Sequence, residues 1–81
     1  MMSPKVPTRI DKRIGDNIRG ARLAAGISQT ALGERIGVTF QQVQKYESGA
    51  NRIAASKLYA IAQALAAPVD SFFAGLIGRG R

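Results

Sequence analysis

The chain has 81 residues, a formal net charge of +7 at pH 7, and neither cysteine nor histidine. This length predicts a single domain, and the missing residue types exclude disulfides, zinc fingers, thiol nucleophiles and histidine general bases. The basic excess favours a polyanionic partner, either nucleic acid or an anionic membrane surface, and no apolar run approaches the roughly 20 residues that span a bilayer.

The N-terminal residues 1–9 include two prolines and show no periodicity, which predicts a flexible basic arm. Such an arm either touches a nucleic-acid partner or has no role, and the sequence leaves both alternatives open. The same residues lack the hydrophobic segment of a secretory signal. We therefore expect a cytoplasmic protein.

Apolar residues recur at helical spacing from Ile10 to Ala25 and predict the first helix. Asp11 lies near its start, where a negative charge suits the helix dipole. Gly26 is expected to end the helix. Because Gly15 and Gly20 lower its helix propensity, we expect its stability to come mainly from packing.

Two short helices joined by a tight turn are predicted at the centre of the sequence, from about Gln29 to Ile36 and from about Phe40 to Ser48. Ser28 is placed to cap the first of these helices through its hydroxyl, and Thr39 to cap the second. Gln42 follows Thr39 at the spacing of a capping box. Two short helices joined in this way predict a helix-turn-helix.

Two glycines support this interpretation. Gly37 follows the first central helix where the chain must become left-handed, a conformation that costs glycine little. Gly33 lies inside that helix, where glycine costs about 1 kcal/mol relative to alanine. That cost is explained if another helix crosses close to Gly33. The apolar residues expected to face the core here are Leu32, Ile36, Val38 and Val43.

The C-terminal part predicts a fourth helix from about Ala55 to Ala66, ended by Pro68. Asp70 is placed to cap a short fifth helix. That helix would carry the apolar residues Phe72, Phe73 and Leu76. Residues 78–81 predict a flexible basic tail. Since no segment has the periodicity of a strand, the predicted fold is all-α, a compact bundle of five short helices over residues 10–77.

Catalysis in this chain would depend on Asp, Glu, Lys, Ser or Tyr, and only five acidic residues are present. The local sequence places no two of them as a general acid and base. There is no glycine-rich phosphate-binding loop, and the Gly78-Arg79-Gly80 motif follows no strand. We therefore predict a protein that is not an enzyme and that has no metal site, cofactor or small-molecule ligand.

The second central helix has a polar face. With Val43 directed inward, Gln41 and Lys45 point away from the core, and Gln44 and Ser48 lie beside them. Glutamine can form two hydrogen bonds with adenine, and lysine can donate to the acceptors of guanine. The face therefore suits recognition of base edges in DNA. The alternative is an ordinary solvated helix surface.

Phe40 and Gln42 lie at the start of the same helix, and each has two interpretations. The Phe40 ring can contact a thymine methyl group, or it can pack half-buried against the first central helix. Gln42 can flank a DNA groove, or it can serve only the capping box. For Tyr46, packing at the edge of the core is favoured over a role in binding.

Several motifs occur together in an order that resembles a known family. They are Ser28-Gln29, Leu32-Gly33, Gly37-Val38-Thr39, Tyr46-Glu47-Ser48-Gly49, Arg52 and the stripe Leu58-Ile61-Ala62-Leu65. The chain resembles the phage-repressor (Xre) family of helix-turn-helix DNA-binding domains from about Ile14 to Leu76. That family commonly has alanine at the position of Gly33. It often has a polar residue at the position of Phe40, so hydrogen-bonded base readout there stays open.

The resemblance implies roles for individual residues. Base contacts in the major groove are expected from Phe40, Gln41 and Lys45. Contacts to the phosphate backbone are expected from Gln29, Thr39, Gln42, Gln44, Ser48, Asn51 and Arg52. The resemblance also implies a partly buried structural salt bridge between Arg22 and Glu47.

The resemblance implies that the protein is a sequence-specific transcriptional regulator, and a repressor is the expected type. It would bind double-stranded DNA as a homodimer at an inverted repeat with half-site centres about 34–36 Å apart. Adjacent phenylalanines cannot both point inward from one helix, so the dimer contact is expected among Phe72, Phe73 and Leu76, unless these residues close the core. Two alternatives are an antitoxin-like or adaptor module that binds mainly protein, and a basic protein of membrane surfaces.

Overall fold

The computed structural model describes residues 8–76, and all regular structure in this range is helical. In chain order the elements are α1 (Arg9–Ala24), α2 (Gln29–Ile36), α3 (Phe40–Ser48), α4 (Ala55–Leu65) and a 3₁₀ helix (Val69–Phe73). The predicted all-α fold is confirmed, with a 3₁₀ helix as its fifth element. The predictions for residues 1–7 and for the tail at 78–81 lie outside the described residues.

Helix α1 begins earlier than predicted because Thr8 caps it. The Thr8 Oγ1 accepts a hydrogen bond from the Asp11 backbone N–H at 3.1 Å. In return, the Asp11 Oδ2 accepts one from the Thr8 backbone N–H at 3.0 Å. This reciprocal capping box satisfies two backbone donors. The predicted arm boundary at residue 9 is therefore wrong, since Thr8 and Arg9 belong to the folded domain.

Most of the residues predicted to begin or end the two central helices do so in the structure. Ser28 caps α2 through its side chain, and Gly37 ends α2 with a φ of +79°. The Thr39 Oγ1 accepts a hydrogen bond from the Gln42 backbone N–H at 3.1 Å and so caps α3. The Gln42 side chain instead donates to the Asn51 Oδ1 at 3.0 Å. The predicted capping box at Thr39 is therefore only half formed, since the Thr39 backbone N–H makes no hydrogen bond to Gln42 Oε1 within residues 8–76, and the Gln42 side chain extends to Asn51 instead.

Two glycines permit close backbone approaches. At the crossing of α1 over the C-terminal end of α3, a Cβ on Gly15 would lie 2.5 Å from the Tyr46 carbonyl oxygen. A Cβ on Gly33 would lie 2.6 Å from the Val38 carbonyl oxygen. The Thr39 carbonyl oxygen, which accepts the first hydrogen bond of α3, would lie 3.4 Å from the same Cβ, so Gly33 accommodates the turn and the start of α3.

Every element contributes to the core. The side chains with the deepest burial are Ile18, Leu32, Val43, Ile61 and Phe72. Asn17 ties the 3₁₀ helix to α1, since its Nδ2 donates to the carbonyl oxygens of Phe72 at 2.8 Å and Ala74 at 3.0 Å. Phe72 is fully buried and cannot be a dimer contact, so that part of the prediction is wrong. Phe73 and Leu76 are half-buried.

The C-terminal element boundaries differ slightly from those predicted. Helix α4 ends at Leu65, and Ala66 follows with a left-handed φ of +52°. Pro68 occupies the N-cap position of the 3₁₀ helix, so the prediction that Asp70 caps it is wrong. Within residues 8–76, none of the helices combines the length and the apolar character needed to cross a bilayer.

Candidate nucleic-acid interface

Helix α3 separates its inward and outward residues as its periodicity predicts. Val43 and Glu47 are buried, whereas Gln41 and Lys45 are exposed on the opposite side. Phe40 is 43% exposed at the start of the helix, so it is not sequestered in the core. Also exposed are Thr39, Gln44 and Ser48, and Gln42 is half-buried. The outward face offers amides, two hydroxyls, one ammonium group and an aromatic ring.

The single acid of α3 is removed from this face by an ion pair. Arg22 Nε lies 2.6 Å from Glu47 Oε2, and the two side chains are only 7% and 4% exposed. A second hydrogen bond joins Arg22 Nη2 to Glu47 Oε1 at 3.2 Å, and Arg22 Nη1 donates to the Ile27 carbonyl oxygen at 2.8 Å. The pair holds α1 against the end of α3, and it leaves the outer face of α3 without a carboxylate.

Gln29, the first residue of α2, links this ion pair to the exposed face. Its Nε2 donates to Glu47 Oε1 at 3.1 Å. Its Oε1 accepts a hydrogen bond from Gln44 Nε2 at 3.2 Å. The amide of Gln44, predicted as a phosphate contact, is thus oriented through Gln29 by the buried Glu47. Hydrogen-bond networks of this kind fix side-chain positions before a partner arrives.

The loop after α3 is held to the rest of the domain at two residues. Asn51 accepts the hydrogen bond from Gln42, and Arg52 Nε lies 3.2 Å from Asp11 Oδ2. The hydrogen bond from the Thr8 backbone N–H, together with Arg52, holds the pKa of Asp11 below its usual range. Both loop residues are exposed, so their remaining polar groups are available to a partner.

Arg19 of α1 belongs to this polar surface, although the sequence analysis did not assign it there. Arg19 is exposed and lines a surface depression together with Gln29, Gln44, Glu47 and Ser48. It therefore lies among three of the residues predicted to contact phosphates. The signal available in the sequence was the charge of Arg19 and its place one helical turn before Arg22.

Comparison with known proteins shows which family this domain belongs to. The helix-turn-helix family model HTH_3 matches residues 18–72. An uncharacterized transcriptional regulator in the ATPase CF(0) region of Rhodospirillum rubrum is 54% identical over 67 residues, covering 83% of this chain and 62% of that protein. An uncharacterized HTH-type transcriptional regulator of Sinorhizobium medicae is 50% identical over 76 residues, covering 94% of this chain and 55% of that protein. The chain thus spans little more than half the length of these curated relatives.

Solved structures share the fold. The clp gene regulator ClgR from C. glutamicum superimposes with a TM-score of 0.78 at 20% identity, covering 84% of this chain and 87% of ClgR. The P22 c2 repressor, crystallised with a synthetic operator, superimposes with a TM-score of 0.70 at 29% identity, covering 76% of this chain and 94% of the repressor. The prediction of a non-enzymatic domain agrees with these relatives. The chain belongs to the HTH_3 helix-turn-helix family, the phage-repressor type of DNA-binding domain that its sequence resembles.

Proposed function

We propose that the chain is the DNA-binding part of a transcriptional repressor and that α3 reads bases in the major groove. One observation carries the proposal. The outward face of α3 presents Gln41, Gln44 and Lys45, while its only acid, Glu47, is buried in an ion pair. A surface of amides and cations without carboxylates is complementary to the polyanionic groove of DNA.

Base reading is assigned to Phe40, Gln41 and Lys45. Gln41 suits the N6 and N7 groups of adenine, and Lys45 suits O6 and N7 of guanine. Phe40 is exposed enough to contact a thymine methyl group. Repression would follow from steric occupation of a promoter. The P22 c2 repressor, whose structure contains a synthetic operator, supports DNA binding by this fold.

Phosphate contacts are assigned to exposed or half-buried polar residues around α3. They are Gln29, Thr39, Gln42, Gln44, Ser48, Asn51 and Arg52. Several of these side chains already hydrogen-bond one another, which fixes their positions. Such contacts set the orientation of the protein on the duplex and supply much of its affinity.

We also propose that the protein binds an inverted repeat as a homodimer, because one small module contacts too few bases to select a genomic site. Phe73 and Leu76 remain candidates for the dimer contact. Two exposed apolar residues, Val69 and Tyr59, could extend this contact. Val69 belongs to the same 3₁₀ helix as Phe73, and Tyr59, 60% exposed, borders the same surface groove as Val69.

Enrichment of bound duplexes from a random DNA pool tests the proposal, with the affinity of the selected duplex followed against salt. An enriched inverted repeat, with half-site centres about one helical turn apart, is the expected result. The affinity should fall steeply as salt rises, because cations of the protein displace counterions from phosphates. Absence of binding at low salt would contradict DNA binding, and enrichment of single half-sites would contradict the homodimer.

Arg52→Gln is expected to weaken binding by a similar factor on every duplex and to reduce the log–log salt slope by about 0.9, because one phosphate contact is lost. Arg13→Gln is the matched control. It removes the same charge from α1 at a side chain that lies against Gly75. Titrations at several salt concentrations measure both variants. Equal slopes for Arg52→Gln and Arg13→Gln would contradict the assigned phosphate contact.

A further inference from the structure

Within the described part of the chain, the Arg52 side chain makes one hydrogen bond, through its Nε. Its Nε lies 3.2 Å from Asp11 Oδ2, and its side chain is 54% exposed. Within residues 8–76, neither Nη1 nor Nη2 of Arg52 makes a hydrogen bond. The outer edge of the guanidinium therefore keeps its N–H donors free, and this planar edge has the geometry that binds a phosphate through two hydrogen bonds.

The carboxylate that holds Arg52 is itself fixed by other groups. Asp11 Oδ2 accepts hydrogen bonds from the Thr8 backbone N–H at 3.0 Å and from the Thr8 Oγ1 at 2.9 Å. The Asp11 side chain is only 14% exposed. These contacts belong to the N-terminal cap of α1 and do not depend on Arg52. The Asp11 carboxylate is therefore held in place independently of the exposed arginine that it binds.

The Asp11–Arg52 pair lies beside a surface pocket. A cavity of about 160 Å³ lies between α1, the loop and α4, and Asp11 and Arg52 both line it. The other lining residues are Ile14, Asn51, Ile53 and Leu58. Among residues 8–76, Asp11 accepts the one side-chain hydrogen bond of Arg52, so this pair is the polar contact that sets the direction of the guanidinium.

We propose that Asp11 is a positioning residue for DNA binding, which orients Arg52 so that its Nη1 and Nη2 groups face a backbone phosphate. The inference rests on the proposed function, in which Arg52 contacts phosphate. An arginine held at Nε loses less rotamer freedom when it binds than an unrestrained one. Asp11 thus increases DNA affinity although its charge repels the phosphates.

The direction in which DNA affinity changes when Asp11 is replaced distinguishes a positioning role from a simple effect of its charge. If Asp11 acted only through its charge, its removal would make the domain more basic and would tighten DNA binding. If Asp11 orients Arg52, its removal weakens DNA binding despite the added positive charge. A purely structural role in capping α1 would lower thermal stability but would leave the salt slope unchanged.

The test compares DNA affinity against salt for Asp11→Asn, Asp16→Asn and wild type, at a temperature where all are folded. Asparagine keeps a similar shape and an oxygen that can accept the hydrogen bond from the Thr8 N–H, but it lacks the negative charge that pairs with the Arg52 guanidinium. Asp16 is an exposed carboxylate on the same helix, so Asp16→Asn makes the same charge change without touching Arg52. We expect Asp11→Asn to bind about threefold to tenfold more weakly with a shallower slope, and Asp16→Asn to bind as tightly as wild type or more tightly.

The same comparison in an Arg52→Gln background makes the test specific. There, Asp11→Asn should no longer weaken binding, because the side chain that it orients is absent. Unchanged or tighter binding by Asp11→Asn alone, or an equal loss in both backgrounds, would overturn the role of Asp11. If Arg52→Gln itself binds like wild type with an unchanged slope, the phosphate contact of the proposed function fails instead.

Discussion

Glu47→Ala is expected to lower the free energy of unfolding by about 3–5 kcal/mol, the cost of leaving a buried charge without its partner. Arg22 would retain its hydrogen bond to the Ile27 carbonyl oxygen, but its Nε and Nη2 would lose both carboxylate contacts. Gln29 would lose the acceptor of its Nε2 as well. A loss of this size is a large fraction of the stability of a small domain.

Urea denaturation of Glu47→Ala and Gln41→Ala measures this difference. Gln41 is exposed on the outer face of α3, so its replacement should change stability by less than about 0.5 kcal/mol. The double variant Arg22→Met with Glu47→Leu removes both charges and is expected to recover much of the loss. Equal unfolding midpoints for Glu47→Ala and Gln41→Ala would show that the ion pair does not hold α1 against α3.

Gly15→Ala is expected to destabilise the domain by about 1–3 kcal/mol, although alanine is the better helix former, because the new methyl group overpacks a close crossing. The added Cβ would meet the backbone of α3 at Tyr46 and Glu47, and a helix backbone cannot move aside as a flexible side chain can. Helix α1 would have to separate from α3, which would also strain the Arg22–Glu47 pair.

Gly20→Ala supplies the matched control on the same helix. A Cβ at Gly20 would have no neighbour within 4 Å in the described part of the chain. Its replacement should therefore stabilise the domain by up to about 1 kcal/mol through helix propensity alone. Thermal or urea unfolding of both variants gives the comparison. Stabilisation by Gly15→Ala similar to that of Gly20→Ala would contradict the close approach of α1 to α3.

The elements with local signals could be predicted from the sequence. Ser28, Gly37 and Thr39 act through neighbours within a few residues, so their side-chain types and spacing were enough to place α2 and α3. Thr8 carries a signal of the same kind, but the prolines before it suggested an arm, and the start of α1 was placed too late. The direction of the α3 side chains also followed, since it depends on helical periodicity alone.

Features that depend on contacts between distant residues could not be predicted in this way. Asp11 pairs with Arg52, which lies 41 positions later in the sequence. The Gln42 side chain donates a hydrogen bond to Asn51 and does not complete the N-terminal cap of α3. The burial of Phe72 depends on the position of the 3₁₀ helix against α1. These contacts depend on how whole helices pack together, so they cannot be predicted from the residue types of a short local segment.

Enrichment from a random duplex pool, with wild type and Gln41→Ala in parallel, tests the proposal that the outer face of α3 reads DNA bases. We expect wild type to select an inverted repeat, and Gln41→Ala to select the same spacing with relaxed preference at one base pair in each half-site. Identical selected sequences for the two proteins would contradict base reading by Gln41, and the absence of any selected sequence for wild type would contradict sequence-specific recognition by α3.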